Sequence, residues 1–183
     1  MDKRKLVQKL AVYESQYSEE RSFIPRFISL LTNFHNCFSR SLITGHMTAS
    51  AFIIDPERKY ALLTHHKKLN RWLQPGGHAD GNEEILDVAW KEAREETGLA
   101  SLSLFTEDIF DIDIHQIPAS NGAMAHFHYD IRFLFTAEPK ETLRVSDESH
   151  DLAWIGISRI NDFVKGNLSI ERMCTKVTNQ DLN

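Results

Sequence analysis

Long apolar runs are missing from this 183-residue sequence. No stretch approaches the roughly 20 residues of a helical membrane span, so none is expected. The basic start, MDKRKLVQKLAVYESQ, lacks the apolar segment of a secretory signal, and the expected location is the cytoplasm. Cysteine is scarce: Cys37 and Cys174 stand far apart, without CxxC or Cys/His finger spacing. That excludes a disulfide framework and a zinc finger. Neither a repeat nor a low-complexity tract is present, and an excess of positive charge is absent too. The net charge of -5 argues against a general nucleic-acid or membrane-surface binder and for a small-molecule partner. What is present, 42% hydrophobic residues, suffices for one domain with a packed core.

Residues 3 to 16 and 22 to 35 have helical periodicity, through Leu6, Val7, Leu10 and Tyr13, then Phe23, Phe27, Leu30, Leu31 and Phe34. Ser18, Glu20 and Arg21 resemble a helix start, and Pro25 suits a first turn. We read residues 1–42 as a helical extension and 43–183 as the main domain. The aromatic side of the extension is expected to pack on that domain or on a second subunit, which leaves a homodimer open. From Ile43 the pattern turns to short strands: HMTASAFIID and YALLTHH around the turn PERK, then RWLQPGGHA entering a glycine turn. A helix over NEEILDVAWKEAREETG follows, ending at Gly98. Next come LSLFTEDIFDIDIHQI, the turn PASNGA, HFHYDIRFLFTA, the strand LAWIGI and a helix around RINDFV. This order implies an α/β (α+β) fold, an α/β/α sandwich with a mixed sheet.

The most unusual stretch is QPGGHADGNEEILDVAWKEAREETGLA, residues 74–100, where acidic side chains crowd a glycine turn. On a helix, Glu92, Glu95 and Glu96 fall at i, i+3 and i+4 on one side, where like charges repel by a few tenths of a kcal/mol per pair. A solvated acidic face tolerates that. A divalent cation reverses it, because hard ions take several carboxylate oxygens and often a backbone carbonyl, which a glycine turn can bring close.

Gly77, Glu83 and the run Lys91-Glu92-Ala93-Arg94-Glu95-Glu96-Thr97-Gly98-Leu99 resemble the Nudix box of the Nudix hydrolases, G-x5-E-x7-R-E-U-x-E-E-x-G-U with U apolar. Lys91 replaces the family arginine. The resemblance covers roughly residues 43–165 in outline and implies Mg2+ or Mn2+ as cofactor, held by Glu92, Glu95, Glu96 and the Gly77 carbonyl. It also implies that Glu83 braces the basic residue at Lys91. An acidic residue in a loop before a later strand often adds a base or ligand in this family. Glu148 is the candidate, with Asp147 and Asp151 behind it. Catalytic roles accordingly fall to Glu92, Glu95, Glu96 and Glu148.

Candidate substrate contacts are His78, Arg71, His126, His128 and Arg132. His78 follows the glycine pair, and Arg71 closes the basic stretch HHKKLNRW, whose Trp72 either stacks on a base or packs inside. In AHFHYDIRFLF, alternation puts His126, His128, Asp130 and Arg132 on one side and Phe127, Tyr129, Ile131 and Phe133 on the core side. The first set is either a solvent-facing surface or a pocket wall for phosphate or base. Zinc on His126 and His128 lacks a third ligand at convincing spacing.

The implied function is metal-dependent hydrolysis of a phosphoanhydride bond in a nucleoside diphosphate linked to another moiety. The rivals are a nucleotide-binding sensor of the same fold that does not hydrolyse, and an RNA-end pyrophosphohydrolase, which the acidic charge disfavours.

Overall fold

GHMTASAFII becomes β1 (Gly45–Ile54), buried at every position. A strand covered on both faces needs small or apolar side chains throughout, yet His46, Thr48 and Ser50 alternate through this one and share a face. The computed structural model, which describes residues 1–119 and 124–179, explains that polar stripe. It resolves into two compact units interleaved along the chain. One comprises Met1–Ser50, Gly77–Ala89 and Glu107–Phe133; the other comprises Ala51–Gly76, Trp90–Thr106 and Leu134–Asn183. Residues 120–123 of the expected turn PASNGA lie outside the described residues.

In the first unit α1 (Lys3–Ala11) starts at Asp2, whose carboxylate accepts the Lys5 N–H at 2.8 Å. It packs against α2 (Ser18–Asn33), which in turn packs on β6 (Asp111–Ile117). The helix expected over 3–16 therefore stops at Ala11, and the second begins at Ser18. Pro25 consequently sits inside α2. An interior proline costs about 3 kcal/mol, which burial of Phe23, Phe27, Leu30 and Leu31 offsets. Buried Glu20 ties this layer to β6, accepting the Tyr13 hydroxyl at 2.7 Å and the Ile112 N–H at 3.1 Å.

β6 pairs antiparallel with β7 (His126–Thr136). The Phe127 N–H donates to the Thr44 carbonyl at 3.2 Å in the first unit, and the Ala137 N–H to the Ile54 carbonyl at 3.0 Å in the second. The same sequence offset at both ends makes β1 and β7 parallel. Of the side chains expected in the core, Ile131 and Phe133 are buried, whereas Phe127 is exposed and Tyr129 half-buried. Those two rings lie instead beneath the Arg26 guanidinium, at 5.5 and 5.9 Å.

In the second unit β2 (Tyr60–His66) pairs antiparallel with β1, with β3 (Arg71–Leu73) and with β8 (Ser149–Gly156), while β5 (Ser103–Leu104) pairs antiparallel with β7. Parallel and antiparallel pairings together make the sheet mixed, and with five helices among the described residues the fold is α+β. The β1–β2 turn is held by Asp55, whose carboxylate accepts the N–H groups of Glu57, Lys59 and Tyr60. α3 (Ile85–Thr97) ends at Gly98, whose φ of 72° is left-handed. After β8 come α4 (Ile160–Val164) and α5 (Leu168–Thr178). α5, a helix beyond those expected from the sequence, buries Ile170, Met173, Cys174 and Val177 on one face. Among the described residues no helix is long and apolar enough to cross a membrane.

Candidate active site and a histidine cluster

The C-terminal half of α3 carries the acidic residues in the second unit. Helical spacing makes Glu92, Glu95 and Glu96 neighbours on the helix surface, but their environments differ. Glu95 is exposed, Glu92 half-buried, and Glu96 only 8% exposed. The Glu96 Oε1 accepts the Gly76 N–H at 2.7 Å. Burial pushes its pKa up to about 7; the Gly76 bond pulls it down, and the carboxylates of Glu92 and Glu148 push it up. Glu148 therefore acts electrostatically on Glu96 although it lies fifty-two residues away in sequence. Its loop is anchored twice at Lys67: the Lys67 N–H donates to the Glu148 carbonyl at 2.9 Å, and Nζ to the Asp147 carbonyl at 2.8 Å.

Lys91 stands among the same carboxylates. Its Nζ is 3.7 Å from Glu92 Oε1 and 3.4 Å from Glu95 Oε2, on a side chain that is 65% exposed. At that exposure the pairs contribute little stability; what the lysine does is place one positive charge beside two carboxylates. Gly77 lies in β4 (Gly76–His78). Within the second unit the Gly76 N–H, one residue earlier and a donor, reaches Glu96. Sequence reasoning missed it because a backbone amide carries no residue-type signal. Arg71 is exposed on β3. Trp72 packs, stacking on His65 with ring centroids 4.9 Å apart and meeting Phe163 edge-on at 6.1 Å.

This donor set fits a hard divalent cation. Glu92, Glu95, Glu96 and Glu148 offer only oxygen. The ionised form of Glu96 is disfavoured by burial and by two neighbouring carboxylates, a situation a cation relieves.

The polar side of β7 does something else in the first unit. Arg132, expected on a pocket wall, is 2% exposed. Its guanidinium donates to Asp130 at 2.8 Å, Asp113 at 3.1 Å and Asp111 at 3.2 Å. The hydroxyls of Thr48 and Ser50 donate to Asp130 as well. Burial alone would lower the arginine's pKa, but the carboxylates of Asp113, Asp130 and Asp111 hold it above its ordinary value. Enclosed by three aspartates, Arg132 has no surface left for a substrate. Its role is to join β6 to β7, and we correct the expectation accordingly.

His126 and His128 continue that face and meet His78, His46 and His115. The Nε2 atoms of His78 and His128 are 3.1 Å apart, and those of His126 and His128 3.3 Å. His46 stacks on His126 at 5.0 Å, and its ring centroid lies 5.2 Å from those of both His78 and His128. Burial lowers the pKa of His46 and takes that of His78 to about 4, with Arg40 and His46 adding to the effect. Burial also lowers His128 to about 2, helped by His78 and His115. These are neutral imidazoles at neutral pH. The structure supplies the partner that local spacing withheld: His46 comes from β1. Its signal was the His46-Thr48-Ser50 alternation in an otherwise apolar strand.

A family model described as the NUDIX domain matches residues 44–172. No curated protein sequence matches. Among solved structures, an Ap4A hydrolase of C. elegans in binary complex is 17% identical with a TM-score of 0.58, over 73% of this chain and 95% of that one. The MutT protein of Methanosarcina mazei Go1 is 16% identical with a TM-score of 0.57, over 76% of this chain and 97% of that one. The E. coli dihydroneopterin triphosphate pyrophosphohydrolase is 14% identical with a TM-score of 0.56, over 73% and 95%. At these identities the structures show a shared fold.

Proposed function

Because the chain belongs to the NUDIX family, whose domain covers residues 44–172, we propose that it hydrolyses a phosphoanhydride bond in a nucleoside diphosphate linked to another moiety. One observation carries this reading: Glu96, held by the Gly76 N–H, has its proton affinity raised first by burial and then by the carboxylates of Glu92 and Glu148. Such a carboxylate cluster is costly unless a cation is bound, and Glu92, Glu95, Glu96 and Glu148 would hold Mg2+ or Mn2+. When bound, the ion offsets charge on the phosphoryl oxygens and favours ionisation of the attacking water.

The protein's own groups supply positioning. The Gly76 N–H fixes one Glu96 oxygen, which sets the direction of the other. Glu92 takes the proton as water attacks phosphorus, with Glu148 the alternative base. The bond to the leaving phosphate oxygen then breaks, releasing two phosphorylated products, or a monophosphate and pyrophosphate. Arg71, exposed on β3, is our choice for contact with substrate phosphate. We place the catalytic domain at residues 43–183 and read residues 1–42 as its helical extension. The partner is a small nucleotide-type molecule.

A panel of nucleotide sugars, ADP-ribose, dinucleotides and oxidised nucleoside triphosphates, assayed with Mg2+ and Mn2+, tests the proposal. Glu95→Gln with Glu96→Gln should abolish turnover while the fold persists; full metal-dependent activity in that double variant would sink it. Lys91 favours a second reading, a sensor that binds nucleotide without cleaving it, because one ammonium orients carboxylates less rigidly than a guanidinium fork. Saturable nucleotide binding with no product from any panel member would select that reading.

A further inference from the structure

We propose that His46, His78 and His128 form a binding site for a transition-metal ion of the zinc class, built from residues that take no part in the carboxylate site. Each contributes one ring nitrogen, and the three nitrogens lie within 4.8 Å of one another. The 3.1 Å between the Nε2 atoms of His78 and His128 is close to the edge of a tetrahedral site. With Zn–N bonds of about 2.0–2.1 Å, ligand nitrogens sit about 3.3 Å apart. Seating the ion therefore asks for a few tenths of an ångström at that pair and a modest inward turn of His46.

His46 supplies the second, independent observation. Its Nδ1 lies 3.4 Å from the Leu42 carbonyl, and donation there leaves Nε2 with a lone pair. The residue is 4% exposed, and this buried Nε2 has no hydrogen-bond partner. A buried acceptor left unsatisfied is destabilising, so the ring is held in place at a cost that a bound ion removes. The surroundings have the character of an outer shell as well. His126 Nδ1 lies 2.8 Å from the Met124 carbonyl, and His115 Nδ1 3.0 Å from Asp113 Oδ2. Both rings stand against the cluster, at 5.0 Å from His46 and 5.4 Å from His128 respectively. These partners hold the two flanking rings, while among the three ligands His46 has the Leu42 carbonyl at its other ring nitrogen, the kind of partner that fixes the tautomer of a metal-bound imidazole.

An all-imidazole set selects Zn2+, Co2+, Ni2+ or Cu2+ and discriminates against Mg2+ and Ca2+, which require oxygen. It therefore differs chemically from the cation proposed at Glu92, Glu95, Glu96 and Glu148. Bound metal would clamp together β1, β4 and β7, the strands that carry the three histidines.

The test uses the untagged full chain, stripped with a chelator and titrated with Co2+, followed by Zn2+ competition against a chromophoric chelator. One equivalent of Co2+ should give the intense visible absorption of four-coordinate cobalt, displaced by Zn2+. The signal should persist in the Glu95→Gln, Glu96→Gln double variant. In His78→Gln and in His128→Gln the affinity should fall by at least about 100-fold, since loss of outer-shell partners alone costs up to about that much. No stoichiometric signal in the wild-type chain overturns the proposal. So does unchanged affinity in both histidine variants, or loss of the signal in the double glutamine variant. Should a histidine variant fail to fold, X-ray absorption on the wild-type zinc form decides: three imidazole ligands are expected, and fewer than two refutes the site. Failure here leaves the hydrolase reading untouched, because that rests on the carboxylates and its own activity assay.

Discussion

Replacing Glu96 by glutamine should stabilise the metal-free protein, and only above acidic pH. The glutamine Oε1 can still accept the Gly76 N–H, so the 2.7 Å bond survives while the buried negative charge disappears. The carboxyl has an ordinary pKa of 4.5 and one of about 7 in the fold. Below pH 4.5 it is protonated in both folded and unfolded chains, and the substitution changes little. Between pH 4.5 and 7 the unfolded chain ionises while the folded one retains its proton, so wild-type stability falls as pH rises. Above pH 7 the loss is complete. At about 1.4 kcal/mol per pH unit, the gap amounts to roughly 3 kcal/mol. That corresponds to about 6–12 °C in melting temperature for a chain of this size. Urea unfolding in EDTA, followed by circular dichroism from pH 4.5 to 8.5, reads the difference directly. It should be near zero at the acidic end and level off above pH 7. Saturating Mg2+ should then close the gap by stabilising the wild-type chain. A variant less stable than wild type at pH 8.5, or a difference independent of pH, would show that Glu96 is not the strained carboxylate described here.

Lys91→Arg should leave turnover equal or raise it, because the planar fork can hold Glu92 and Glu95 where the lysine offers single contacts at 3.7 and 3.4 Å; a lower kcat counts against that account. Arg132→Met leaves buried Asp111 and Asp130 and half-buried Asp113 without their common cation and should cost about 3–5 kcal/mol in chemical denaturation. A loss under about 1 kcal/mol would mean the network is structurally idle. Gly98→Ala forces a side chain onto φ 72° with its Cβ 2.7 Å from the Cβ of Arg144. A drop of about 1–3 kcal/mol is expected, and an unchanged melting curve would contradict the strained geometry.

Glu92, Glu95 and Glu96 were legible because helical spacing is a local property: once residues 85–97 coil, their neighbourhood follows. Glu148 became a candidate only through the family resemblance and its place in a loop before a strand, and its electrostatic effect on Glu96 depends on how β8 is brought back to β2. Alternation along β7 put His128 and Arg132 on one side and left open what that side faces. The structure gave the two opposite surroundings, three aspartates around Arg132 and imidazoles around His128. α5 was missed although its apolar residues have helical spacing. Pro25 was misplaced because packing of α2 outweighs the proline's local preference.

By itself the sequence determined the family signature, the strand and helix alternation and the carboxylate face, since each is written in spacings of a few residues. Only the tertiary structure decided that Gly76 steadies Glu96, that Arg132 is sealed away from substrate, and that His46 joins His78 and His128. The physical reason is that strand pairing brings together residues dozens of positions apart, and a backbone N–H or a buried imidazole shows its partner only when those strands meet.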